Sequence, residues 1–109
     1  MSVIIEPATG AAAIATTIAP NRRFQLLEIR LHLSAVGGAV GNVNFTATLD
    51  AIEGTPYDIL IFTNDMTADA DVIYQPTYPQ IFEEGDEIDF AYVNGSSKTY
   101  GLTVIYNPL

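Results

Sequence analysis

From Leu27 to Tyr106 the chain is a succession of short segments in which apolar and polar residues alternate, the period expected of half-buried β-strands. The clearest segment runs from Arg23 to Ser34, with Leu27, Ile29, Leu31 and Leu33 on one face and Glu28, Arg30 and His32 on the other. A helix would scatter those four apolar side chains around its axis, so the pattern predicts a strand. After the glycine loop marked by Gly37-Gly38 and Gly41-Asn42, Val43, Phe45, Ala47 and Leu49 alternate with Asn44, Thr46, Thr48 and Asp50, predicting a second strand. The turn Glu53-Gly54-Thr55-Pro56 leads into Tyr57 to Thr63, whose Ile59-Leu60-Ile61-Phe62 centre is apolar at every position. Such a run predicts a strand covered on both faces. Asp58 and Asp65 flank it as gatekeepers against aggregation.

The remaining segments read in the same way. Ser2 to Glu6 is a β-branched run ahead of Pro7 and Gly10, so residues 1–10 are expected to be an edge strand or an extended N-terminal arm. Ala11 to Ala19 mixes helix-favouring alanines with Ile14, Thr16, Thr17 and Ile18; the β-branched residues favour a strand, ended by the Pro20-Asn21 turn. Asn64 to Pro79 reads as exposed loops around the short candidate strand Val72-Ile73-Tyr74. Ile88, Phe90 and Tyr92 align in Glu87 to Asn94, and Tyr100, Leu102, Val104 and Tyr106 align in Thr99 to Tyr106. The intervening Asn94-Gly95-Ser96-Ser97 turn predicts that these two segments pair as a hairpin. The whole chain, residues 1–109, is then expected to form one all-β domain. Its architecture is an antiparallel β-sandwich, jelly-roll-like, of about eight strands.

Composition narrows the function. At 49% hydrophobic and 16% charged the chain is too apolar for a disordered segment. Its positive mean hydropathy of +0.24 points to apolar surface hidden by a partner or by copies of itself. Thirteen acids against four bases leave a formal net charge of −9, and Glu53 to Asp89 holds ten acids with no Lys or Arg. With only Arg22, Arg23, Arg30 and Lys98 to meet phosphates, neither nucleic acid nor an anionic membrane surface is an expected partner. There is no cysteine, hence no disulfide framework or thiolate nucleophile. No positive region precedes an apolar core at the N-terminus, and the bland stretch Ala11 to Ala19 is too short to span a bilayer. A soluble product of the cytoplasm without an export signal is expected.

Candidate chemistry is sparse. His32, the one histidine, lies on the polar face of its strand beside Arg30 and reads as a surface residue rather than a base. None of Ser2, Ser34, Ser96 and Ser97 sits in a nucleophile elbow. Glu83, Glu84, Asp86 and Glu87 supply the two carboxylates a glycosidase needs, yet a solvated acidic rim is the favoured reading of that cluster. Asp65, Asp69 and Asp71 offer loop oxygens that leave calcium open, without the closing glutamate of an EF-hand. Among the six tyrosines, Tyr92, Tyr100 and Tyr106 are in phase with apolar neighbours, whereas Tyr74 and Tyr78 flank proline-rich loop positions and are the exposed candidates for stacking on a sugar ring. No catalytic residue, metal ligand set or cofactor is assigned, and the expectation is a protein that is not an enzyme.

Three strings carry a family likeness: residues 10–20 (GAAAIATTIAP), residues 26–34 (LLEIRLHLS), and residues 85–94 (GDEIDFAYVN) followed by Thr99, Tyr100, Gly101 and Leu102. Together they resemble small virion proteins of tailed bacteriophages that decorate heads or sit in tail and fibre assemblies. The Gly85-Asp86 entry to a strand and the tyrosine-rich final strands are also similar to trimeric jelly-roll modules. The resemblance implies a virion location and a homo-oligomer, a trimer being favoured, bound to the major capsid protein or other virion proteins. It implies a capsid decoration or stabilisation (cement) role. The alternative is a carbohydrate-binding, receptor-recognition module of a tail or fibre. The resemblance supplies no functional residue.

Overall fold

Alternation becomes burial through two antiparallel sheets packed face to face. The computed structural model describes residues 2–109, which form β1 (Ile4–Gly10), β2 (Ile14–Ile18), β3 (Phe24–Leu33), β4 (Asn44–Asp50), β5 (Ile59–Asp65), β6 (Asp71–Tyr74), β7 (Gln80–Phe82), β8 (Glu87–Tyr92) and β9 (Tyr100–Pro108). A single 3₁₀ turn, Thr55–Tyr57, precedes β5. The first sheet runs β1-β9-β3-β6, with β7 also paired to β3, and the second runs β2-β8-β4-β5. With β7 set aside, this is the strand order of an eight-stranded jelly roll. The chain crosses repeatedly between sheets, and β4 with β5 is the one pair of consecutive strands hydrogen-bonded to each other among the described residues.

Each inner face follows from the period of two. In β9, Tyr100, Leu102, Val104 and Tyr106 are buried, and in β8 Ile88, Phe90 and Tyr92 meet them across the sandwich. Aromatic rings knit both ends of the core: Phe24 stacks on Phe82 at 4.8 Å and meets Tyr106 edge-on at 5.6 Å, while Phe45 lies 6.3 Å from Phe90. Such pairs add about 0.5–1.5 kcal/mol each beyond the area they bury. The ring of Phe62 in β5 stacks on that of Tyr74 in β6 at 4.7 Å, bridging one open side of the sandwich.

Several expectations change. In β3 the register shifts between Leu26 and Glu28, where the pairing with β9 passes from Tyr106 to Ile105. The bulge inserts Leu27 and reverses the phase: Phe24 and Leu26 are buried before it, Ile29, Leu31 and Leu33 after it, and Leu27 stays half-buried outside the stripe. Pro7 does not end the first segment. β1 runs through it, paired only with β9, because an edge strand has one side on which no N–H is required. Residues 4–10 are thus an edge strand of their own chain.

The anticipated hairpin does not form. β8 pairs with β2 and β4, whereas β9 pairs with β1 and β3, so the connection is an arch between sheets. Residues 93–99 separate the strands, longer than a tight hairpin loop. Asn94 is buried within the arch at φ 55°, and its amide donates to the carbonyls of Ala11, Ala12 and Lys98 while its Oδ1 accepts from the Lys98 N–H. That side chain ties the β8–β9 arch to the β1–β2 arch beside it.

The all-apolar run is also placed differently. β5 is the outer strand of the second sheet, not a covered central one, and Ile59 and Leu60 are 60% and 52% exposed. A further bulge, at Ile61, shifts its register against β4 between Ala47 and Thr48.

Candidate functional site

Three surfaces gather the side chains that chemistry would use. The first is the outer face of the β1-β9-β3-β6 sheet. Strand pairing sets Ile5 beside Ile105 and Ile105 beside Glu28, then Pro7, Thr103, Arg30 and Ile73 in the next row, then Gly101, His32 and Asp71. Arg30 is ion-paired with Glu28, which also accepts from Gln75 Nε2 at 2.5 Å. The Gln75 hydrogen bond, followed by the Arg30 guanidinium, holds the Glu28 carboxyl below its ordinary range against the opposing effect of burial. His32 Nδ1 lies 2.5 Å from Asp71 Oδ1. Gly101 has no side chain and its β-carbon position meets nothing, so the face dips into a depression of about 390 Å³ among Arg30, His32, Asp71, Ile73 and Thr103. No serine lines it. Its His–Asp pair lies open to water, and the Arg30 charge is matched by Glu28.

The second surface is the acidic end. Asp86 is buried, its carboxylate accepting the N–H groups of Ile52 and Glu83, both at 2.9 Å. It therefore clamps the turn before β8 to the loop after β4. Glu83 is exposed beside Glu53, and the hydrogen bond and repulsion between their carboxyls push the Glu83 pKa upward, only partly offset by Arg23. Glu87 points outward from β8 opposite Asp50. None of Glu83, Glu84, Asp86 and Glu87 lines the depressions of about 480, 390 and 240 Å³. The calcium candidates are likewise dispersed: Asp65 accepts the Thr67 N–H, Asp69 accepts from Asn64 Nδ2 and Asp71 meets His32. Among the described residues no three His, Asp or Glu side chains converge as a metal-holding group.

The tyrosines divide as their phase suggests, with Tyr92, Tyr100 and Tyr106 buried. Tyr74 is not a free stacking platform, since its ring is held against Phe62 and its hydroxyl accepts from Gln80 Nε2 at 2.9 Å. Tyr78 is 79% exposed and borders a depression of about 240 Å³ lined also by Gln25, Leu27 and Thr77.

The third surface was not foreseen. Below the Phe62–Tyr74 bridge, the outer edge of β5 and the short strand β7 bound a groove of about 480 Å³, lined by Ile59, Leu60, Ile61, Pro79, Gln80 and Ile81. Asp58 and Asp65, which bracket β5, were the available signal, because charges at the ends of an apolar run are also how exposed sheet edges are protected.

No protein-family model matches this chain, and no curated protein sequence matches it. Among solved structures it is similar to the core of NLP from Drosophila, a structure described in terms of pentamer formation and histone binding, at 13% identity and a TM-score of 0.47. The likeness covers 94% of this chain and 97% of that one. At that level it conveys nothing about partners or assembly. What strand order and site geometry define is a class: a small all-β jelly-roll module whose buried polar side chains mostly serve backbone and neighbouring side chains.

Proposed function

We propose that this chain is a non-enzymatic virion structural protein, a decoration or stabilisation (cement) protein that binds a capsid as a homo-oligomer, with the trimer favoured by its resemblance to trimeric jelly-roll modules. The observation that carries the reading is the outer face of the β1-β9-β3-β6 sheet. In a chain of net charge −9, copies meet most favourably where like charge is sparse or paired. This face pairs Arg30 with Glu28 and His32 with Asp71 and presents Ile5 and Ile73, 62% and 64% exposed. The acidic loops between Glu53 and Asp89 then project toward water. Isolated apolar side chains on a surface are ordinary, whereas apolar residues beside an ion pair such as Arg30–Glu28 suit association.

Native mass spectrometry tests the assembly, and quantification of this chain in purified particles tests the location. A trimer that Ile5→Lys and Ile73→Lys dissociate, with copy number near that of the main shell protein, supports the decoration role. A monomer at every concentration together with absence from particles overturns it. A second reading, a glycan-recognition module, is favoured by Tyr78 at its polar-rimmed depression. Silence on a glycan array with and without calcium removes it.

A further inference from the structure

We propose that the groove between β5 and β7 is a docking site for an extended basic segment of a partner protein, laid along the open edge of β5. β5 ends its sheet, so the main-chain N–H and C=O groups on its side away from β4 have no strand beside them among the described residues. An open edge next to apolar side chains is the arrangement that binds extended peptides, the backbone giving affinity and alternate side chains specificity. Ile59, Leu60 and Ile81 stand 60%, 52% and 50% exposed along this groove. Gln80 in its wall is fixed by the hydrogen bond that its Nε2 donates to the Tyr74 hydroxyl.

Charge decides what kind of chain fits. β5, β6 and β7 all come from the stretch Glu53 to Asp89, which carries ten acids and no base. Asp58 and Asp65 bracket β5, and Glu83 with its neighbour Glu53 follows β7 directly. A second copy of this chain would bring the same acids to the groove, and the bulge at Ile61 interrupts the straight edge that a long ladder between copies requires. Lysine and arginine flanking a short apolar stretch complement both features. This assignment is independent of the virion role, because it rests on the groove alone.

The test is titration of the ¹⁵N-labelled full chain with a synthetic peptide of alternating valine and lysine, against a control of alternating valine and glutamate. Binding of the basic peptide is expected to be at least about tenfold tighter than of the acidic one. Amide shifts should concentrate at residues 59–61 and 80–82 and at the Gln80 side-chain NH₂. The double variant Ile59→Ser, Ile81→Ser keeps every charge and should weaken binding about tenfold by removing two apolar contacts. Equal affinity for the two peptides, no binding of either, shifts confined to another face, or undiminished binding by a folded double variant overturns the proposal. If the double variant does not fold, the shift map and the peptide comparison on the wild-type chain decide it.

Discussion

Asn94 offers the sharpest test of how the arches hold the sandwich. Its side chain donates to Ala12 O at 3.0 Å, Lys98 O at 2.8 Å and, longer, Ala11 O at 3.3 Å, and accepts from Lys98 N at 3.0 Å. Asn94→Ala deletes the set. At about 1 kcal/mol for each of the three shorter bonds, the loss is about 3 kcal/mol. Asn94 also sits at φ 55°, where alanine costs a further 1–2 kcal/mol or so. The expected destabilisation, about 4–5 kcal/mol, is a large fraction of the roughly 5–15 kcal/mol that holds a domain together. Asn94→Gly removes the strain without restoring the bonds and should lie about 1 kcal/mol above the alanine variant. Asn94→Asp separates geometry from charge: it tolerates the conformation and can accept from Lys98 N, but turns a carboxylate toward carbonyls. Those carbonyls raise the folded-state pKa of the new acid. Stability is therefore expected to fall as pH rises from the unfolded-state pKa, about 4, through the higher folded value, and to recover on acidification. Urea unfolding followed by far-UV circular dichroism reads all three variants, since the chain has no tryptophan. An alanine variant within about 1 kcal/mol of wild type, or an aspartate variant whose difference from wild type ignores pH, would refute the assignment of Asn94 as the tie between arches.

Burial predicts a contrast along the apolar strands: Leu60→Lys at the exposed β5 edge should change stability by no more than about 0.5 kcal/mol in urea. Leu31→Ala, in the core at 2% exposure, should cost about 2–5 kcal/mol in the same assay. Asp86→Ala leaves the N–H groups of Ile52 and Glu83 without their buried acceptor and should cost about 2–4 kcal/mol, with faster amide exchange at both positions as the confirming signal. Glu83→Gln removes one of two crowded carboxyls. Because the Glu83 pKa is raised in the fold by Glu53, its charge opposes folding as pH rises through that pKa. The variant's melting temperature should therefore exceed wild type at neutral pH and converge with it near about pH 3; an equal advantage at both values would contradict the pairing with Glu53.

The alternation of β3, β4, β8 and β9 was legible because the side-chain period of a strand is local: it needs only the next few residues to be read. The buried tyrosines followed from the same phase, and the scarcity of reactive groups followed from composition. The candidate surfaces were legible only in fragments. Glu28, Arg30 and His32 were placed on a polar face, but Asp71 and Gln75 joined them through pairing across 39 and 47 residues of chain. The β5–β7 groove was invisible, because an apolar run reads alike whether both of its faces are covered or it lies at an edge.

By itself, then, the sequence determined that the chain is built of strands, which side chains in most of them point inward, and that its charge is strongly acidic. The tertiary structure decided which strands share a sheet, that residues 93–99 arch between sheets, where Leu27 breaks the phase of β3, and that β5 is left open. The division has one physical cause. Strand periodicity is set by neighbours along the chain, whereas pairing, edge position and burial depend on contacts between segments far apart in sequence, whose competition no local pattern records.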